Sequence, residues 1–130
     1  MKYAIVGIGA IGGFYGAMLA NAGEEVHFLL NSDYAIVKEE GLHVISEIFS
    51  DIHLDKINAY QHSVDMPVCD VILVCLKTTS NKTLLPSLVQ PLLHPGTVII
   101  LIQNGLGVEA DVAAMFPNVG VAGATALISV

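Results

Sequence analysis

Tyr3-Ala4-Ile5-Val6-Gly7-Ile8-Gly9-Ala10-Ile11-Gly12-Gly13-Phe14-Tyr15-Gly16 follows directly on Met1-Lys2. Tyr3 to Val6 is a short apolar run and reads as a buried strand. Ala10 to Ala22 is rich in Ala, Leu and Met and stops at Gly23, which reads as a helix with a glycine terminator. Between them Gly7-Ile8-Gly9-Ala10-Ile11-Gly12 fits G-x-G-x-x-G. A lone match of this kind carries little weight. Its setting between a strand and a helix, inside a strand–helix–strand unit, carries much more. In that setting Gly7 permits the tight turn and Gly9 lets backbone approach a pyrophosphate. Gly12 lets helix and strand pack closely. The helix start supplies unpaired N–H groups and partial positive charge. The competing reading is an ordinary strand-to-helix turn with spare glycines. Met18 and Leu19 are read as core-facing helix positions.

Working outward, Val26-His27-Phe28-Leu29-Leu30 reads as a second buried strand. Asp33 is placed to cap a short helix that runs to Glu40 and ends at Gly41. Leu42 to Ile45 and Asp51 to Leu54 alternate enough to suggest a small β-excursion within a less regular region that reaches Tyr60. Asp70 to Leu76 is a continuous apolar run, as expected of a strand covered on both faces. A helix is expected over Asn81 to Leu93, with Pro86 near its start and a stop or kink at Pro91. Pro95-Gly96 is a turn and Thr97 to Ile102 another buried strand. Gly107 to Phe116 reads as helix and Val119 to Ile128 as a last strand. Strands alternating with helices in this way imply an α/β domain: a Rossmann-type, doubly wound, mostly parallel sheet spanning residues 1–130.

In such a sheet, ligands bind beyond the carboxyl ends of the strands where strand order reverses. Lys77 directly follows one predicted strand, and Gln103-Asn104-Gly105 directly follows another. Both are expected to face the cleft. Lys77 offers a compact cation, or else is a solvated strand-end lysine. Asn104 offers both a donor and an acceptor. At the end of the second strand, where an Asp or Glu usually grips the ribose 2′-OH of NAD, stand Asn31 and Ser32. A carboxylate there would repel a 2′-phosphate by on the order of 4 kcal/mol at close range. Its absence favours NADP, with NAD as the alternative. Asn31 and Ser32 can donate to a phosphate, or simply begin the next helix, and Asp33 is close by.

Composition narrows the classes further. The chain has 130 residues, 54% hydrophobic and only 13% charged, where ordinary domains carry about 25% charged residues. That suits a sheet buried on both faces, and an apolar face toward a partner domain. The net charge of −7 with five basic residues excludes a nucleic-acid interface built on phosphate neutralisation. Two cysteines, Cys69 and Cys75, are too few for a zinc site and about 20 Å apart along a strand, so they are expected as reduced core thiols of a cytoplasmic protein. The five histidines, His27, His43, His53, His62 and His94, form no metal spacing and read as surface or packing residues. The absence of charge from Tyr3 to Gly23 and the small residues Ala20-Asn21-Ala22 imitate a signal peptide. Five glycines between Gly7 and Gly16 would weaken its apolar helix. No other run is long enough to span a membrane.

The segments Gly7 to Gly16, Cys75-Leu76-Lys77-Thr78 and Gln103-Asn104-Gly105-Leu106-Gly107 together resemble the N-terminal domain of the ketopantoate reductases (2-dehydropantoate 2-reductases). The last segment is the most specific, because it exceeds the general dinucleotide pattern. The resemblance spans essentially the whole chain but about half of the family architecture. It implies a reductase that uses NADPH on a small 2-keto acid, ketopantoate, on the route to pantothenate and coenzyme A. It implies that Lys77 lies near nicotinamide and substrate, and that Asn104 contacts cofactor ribose and substrate. Ser129 is implied to face the cofactor. Cofactor contacts are thus expected at Gly7, Ile8, Gly9, Ala10, Ile11, Gly12, Asn31, Ser32, Lys77, Asn104 and Ser129. The family commonly carries Arg where Asn31 stands. Its proton-donating lysine and a substrate-binding carboxylate belong to a helical C-terminal domain that this chain lacks, and a homodimer is a further expectation for the intact protein. Two alternatives stay open: the Rossmann domain of another 2-keto acid reductase, and a nucleotide-sensing module without chemistry.

Overall fold

The computed structural model describes residues 1–7, 10–45, 51–76, 84–102 and 108–124. The main sheet is built from β1 (Lys2–Val6), β2 (Glu25–Leu29), β5 (Asn58–Tyr60), β6 (Val71–Val74), β7 (Val98–Ile102) and β8 (Gly120–Ala124). Its order is β5-β2-β1-β6-β7-β8, and every pairing in it is parallel. A separate antiparallel hairpin pairs β3 (Leu42–Val44) with β4 (Ile52–Leu54). The helices are α1 (Ala10–Asn21), α2 (Tyr34–Glu40), α3 (Leu85–Val89) and α4 (Val108–Met115).

The side-chain period of two in the strands divides the core into two layers. Ala4, Val6, Ile72, Val74, Ile99 and Leu101 point to one face, where Leu85 and Val89 of α3 and Val112 of α4 cover them. Ile5, Phe28, Leu73 and Ile102 point to the other, where Ile11, Tyr15 and Leu19 of α1 and Val37 of α2 pack. The helices of the first half therefore lie on one face and those of the second half on the other. That is the doubly wound arrangement. On the α1 side, β7 and β8 present Val98, Gly120, Ala122 and Ala124 as exposed positions.

α1 ends as its glycine predicts. The amide of Gly23 donates to the Ala20 carbonyl and that of Glu24 to the Leu19 carbonyl, with Gly23 at φ +95°. This is a Schellman closure, which needs the left-handed conformation that glycine adopts without penalty. Met18 corrects an expectation: it lies on the exposed side of α1. It is two residues from Gly16, which faces the strands, and two residues in a helix turn about 200°.

Other differences are local. Asp33 stands at the start of α2, but its carboxylate makes no capping bond. The helix expected from Asn81 is described only from Leu85. It passes at Gln90 into a 3₁₀ turn over Gln90–Leu92, where Pro91 cannot donate to the α-helical ladder. β6 ends at Val74, two residues before the predicted limit, although the Cys75 amide still donates to the Val6 carbonyl. β5 is an addition. Asn-Ala-Tyr has little strand character of its own. Pairing makes it a strand, with Ala59 buried and the Asn58 Nδ2 amide donating to the Val26 carbonyl.

Candidate functional site

The strand register gathers the site. Val6 lies level with Leu29 on one side and with Val74 on the other, and Val74 lies level with Leu101. The carboxyl ends of β2, β1, β6 and β7 therefore reach one sheet edge together. From β1 the chain order runs outward through β2 and β5 on one side and through β6, β7 and β8 on the other. The reversal lies between β1 and β6, so Gly7 leaves the sheet at the position where parallel α/β sheets bind ligands.

The turn there is shaped by missing side chains. Gly7 adopts φ +91°, and a Cβ on it would stand 2.8 Å from Leu76 Cδ2 and 3.0 Å from the Leu76 amide nitrogen. Conformation and space both restrict this position to glycine. A Cβ on Gly12 would run into the carbonyl oxygen of Gly7, so the first turn of α1 sits directly against the end of β1. The room between helix and strand faces is made one turn later. A Cβ on Gly16 would strike the Phe28 ring and approach Ile5 Cγ1 to 3.0 Å. Gly16 thus adds, one turn on, to the close helix–strand packing that the motif reading assigned to Gly12 and that Gly12 makes against the end of β1. The signal was present in the Gly12-Gly13-Phe14-Tyr15-Gly16 spacing, which puts Gly12 and Gly16 one turn apart on one helix face.

The electrostatics suit an anion. The first turn of α1 contains no acidic residue, so the partial positive charge of the helix start is not cancelled locally. Cys75, at the end of β6 beside Gly12, is partly buried, and burial pushes its thiol up to about 11. It remains neutral near pH 7 and adds no negative charge. Asn31 and Ser32 are exposed beyond the end of β2, and the Asn31 carbonyl accepts the Tyr34 amide at the entry to α2. Gly7 and Gly12 let the end of β1, the start of α1 and the end of β6 close on one another, and the start of α1 at this edge is of the kind that binds anions.

Of the predicted contacts, Gly7, Ile11, Gly12, Asn31 and Ser32 lie among the described residues, and Ala10 begins α1. Ile11 packs its side chain into the α1-side core. Ile8, Gly9, Lys77, Asn104 and Ser129 lie outside the described residues. The strands that lead to Lys77 and Asn104, β6 and β7, end at adjacent positions on the site edge. Among the described residues no group of three or more metal-ligating side chains is gathered at one point, and no helix is long and apolar enough to cross a membrane.

Comparison with known proteins agrees with this geometry. The family described as ketopantoate reductase PanE/ApbA matches residues 3–130. The chain belongs to the ketopantoate reductase family. A 2-dehydropantoate 2-reductase of Nostoc sp. is 49% identical over 122 residues, which cover 94% of this chain and 38% of that protein. The crystal structure of 2-dehydropantoate 2-reductase from Geobacter metallireducens superposes with a TM-score of 0.85 at 41% identity, over 89% of this chain and 38% of that one. A ternary structure of D-mandelate dehydrogenase with NADH and anilino(oxo)acetate superposes with a TM-score of 0.78 at 26% identity, over 93% of this chain and 40% of that one. The chain therefore spans about two-fifths of the length of these ketopantoate reductase relatives. The segment they share with it is the dinucleotide-type α/β unit described above.

Proposed function

We propose that this chain is the cofactor-binding domain of an NADPH-dependent reductase that converts ketopantoate to pantoate, a cytoplasmic step toward pantothenate and coenzyme A. The observation that carries the reading is the turn at the strand-order reversal. There Gly7 and Gly12 bring the start of α1 tightly against the ends of β1 and β6, in a chain whose family relatives are 2-dehydropantoate 2-reductases. Gly7 to Gly12 hold the diphosphate by backbone N–H groups, and Asn31 and Ser32 meet the 2′-phosphate. When bound, the reduced nicotinamide supplies the hydride for the keto carbon. On this reading Lys77 and Asn104, which follow β6 and β7 in sequence, stabilise the alkoxide that develops and orient the substrate carboxylate. Ser129 completes the cofactor contacts.

The proton donor for the alkoxide and a carboxylate that binds substrate belong to the second domain of the family architecture. The exposed Val98, Ala122 and Ala124 on the α1 side of the sheet suit an apolar contact with such a domain. The intact protein is expected to pair as a homodimer.

A second reading is favoured by Asn31, which stands where the family commonly has Arg: reduction of a different 2-keto acid, with NADH. Calorimetric titration of the chain with NADPH and NADH tests both. Tighter NADPH binding supports the first reading. Tighter NADH binding supports the second. Binding of neither, in a chain folded by circular dichroism, overturns the assignment of the glycine turn as a self-sufficient cofactor site.

A further inference from the structure

The last paired residue of β6 is Val74, and the next two, Cys75 and Leu76, run on beside the glycine turn. The Cys75 amide donates to the Val6 carbonyl at 2.9 Å, so this extension is still tied to β1 one residue before Gly7. The two side chains go to opposite faces of the sheet, as alternation requires. Cys75 goes to the α1 side, where its Cβ lies 3.3 Å from the place that a Cβ on Gly12 would take. Leu76 goes to the α3 side, where it is partly buried against the cluster that holds Val74, Leu85 and Leu101. Its Cδ2 lies 2.8 Å from the place that a Cβ on Gly7 would take. The end of β6 thus clasps the turn from both faces, and the space beside Gly7 is filled by the Leu76 side chain.

We propose that Leu76 is a positioning residue for the cofactor: it wedges Gly7 at a fixed depth between the ends of β1 and β6, and through that seat sets where the start of α1 meets the diphosphate. The inference deepens the cofactor reading above and rests on it. Gly7, at φ +91°, has no side chain of its own and the widest backbone freedom of any residue type. What holds it in place must come from a neighbour, and Leu76 stands against its α-carbon. The position also has leverage. The Gly7 carbonyl lies directly under Gly12, so a shift of Gly7 passes straight to the first turn of α1. Truncating Leu76 leaves a void on the α3 side into which the glycine backbone can relax. Displacements of about 1 Å in a positioned group cost up to roughly a hundredfold in function. Leu76 itself acts through Gly7 and needs no contact with the reacting atoms.

The test compares the parent chain with Leu76→Ala, Leu76→Met and Ile72→Val. Ile72 is buried on the same face of β6, roughly 13 Å back along the strand, so Ile72→Val loosens the core without touching the turn. Calorimetric titration with NADPH is expected to show binding at least roughly tenfold weaker in Leu76→Ala and unchanged in Ile72→Val. Leu76→Met, of similar volume, is expected to recover the affinity to within about threefold. A second measurement needs no cofactor. Amide hydrogen exchange compares the Cys75 N–H with that of Asp70, which donates to the Lys2 carbonyl at the opposite end of the same strand pair. Leu76→Ala is expected to speed exchange at Cys75 at least roughly tenfold more than at Asp70, whereas a general loss of stability speeds both alike.

The proposal is overturned if Leu76→Ala binds NADPH as the parent does, if Leu76→Met fails to restore binding, or if the two amides respond equally. A folded parent that binds neither NADPH nor NADH overturns the cofactor reading instead. The exchange pattern then decides by itself whether Leu76 seats Gly7.

Discussion

Gly16→Ala in α1 sets two opposed effects against each other. Alanine gains about 1 kcal/mol over glycine in a helix interior. The new methyl, however, would collide with the ring of Phe28, which is 1% exposed and enclosed by the core between α1 and the sheet. Ile5 Cγ1, 3.0 Å from the new carbon, blocks escape on the other side. Overpacking of this kind typically costs about 1–3 kcal/mol. A clash with an enclosed ring lies in the upper part of that range, about 2–3 kcal/mol, so packing wins and a net loss of roughly 1–2 kcal/mol is expected. With a urea dependence of about 2 kcal/mol per molar, the midpoint should fall by roughly 0.5–1 M. The chain has four tyrosines and no tryptophan, so the transition is best followed by far-UV circular dichroism. The sharper measurement is a double-mutant cycle with Phe28→Leu. With the ring removed, Gly16→Ala should become neutral or stabilising, a coupling of at least about 1 kcal/mol, where independent sites add to within about 0.5 kcal/mol. Additive single effects would refute the claim that Gly16 is held small by Phe28. On the proposed function, which seats the cofactor at the start of α1, Gly16→Ala should also weaken NADPH binding in the parent background and recover it in the Phe28→Leu background.

Three further outcomes follow from the same structure. Asn31→Arg, an exposed change beyond β2, should tighten NADPH roughly tenfold by a charge-assisted contact to the 2′-phosphate, leave NADH almost unchanged, and lose the gain as salt is raised. The Lys2 amide and the His94 ring hold the Asp70 carboxyl below the ordinary carboxylate range, so its contribution to stability is present above that range and is lost as pH falls through its lowered value. Urea midpoints should therefore drop below about pH 4 more steeply in the parent than in Asp70→Asn, and parallel curves would argue against this. Burial pushes both Cys69 and Cys75 from 9.0 up to about 11, so at neutral pH the folded chain carries roughly a hundredfold less thiolate than the unfolded one. Reaction with a disulfide reagent should be slow in buffer and fast in urea, and rapid stoichiometric labelling of the folded chain would contradict it.

The turn at Gly7 to Gly12, the α1 helix with its Gly23 stop and the buried runs at β1, β2, β6 and β7 were legible because each is a local signal: glycine spacing, an apolar run, a terminator. The small hairpin was legible from alternation at Leu42 to Ile45 and Asp51 to Leu54. β5 was not, because Asn58-Ala59-Tyr60 has no β-branched residue, and its strand state comes from hydrogen bonding to β2. Met18 was misplaced because an α1 rich in apolar residues on all sides leaves no periodicity from which to choose a buried face.

By itself, then, the sequence determined the order of helices and of every main-sheet strand but β5, the glycine spacing of the first turn and the family to which the chain belongs. These follow from backbone propensity and residue spacing over a few positions. Only the tertiary structure decided that the ends of β1, β2, β6 and β7 share one edge, that Gly16 and Phe28 set the seat of α1, and that His43 faces His53. Those depend on which distant strands pair and in what register, and register is a property of the assembled sheet rather than of any segment read alone.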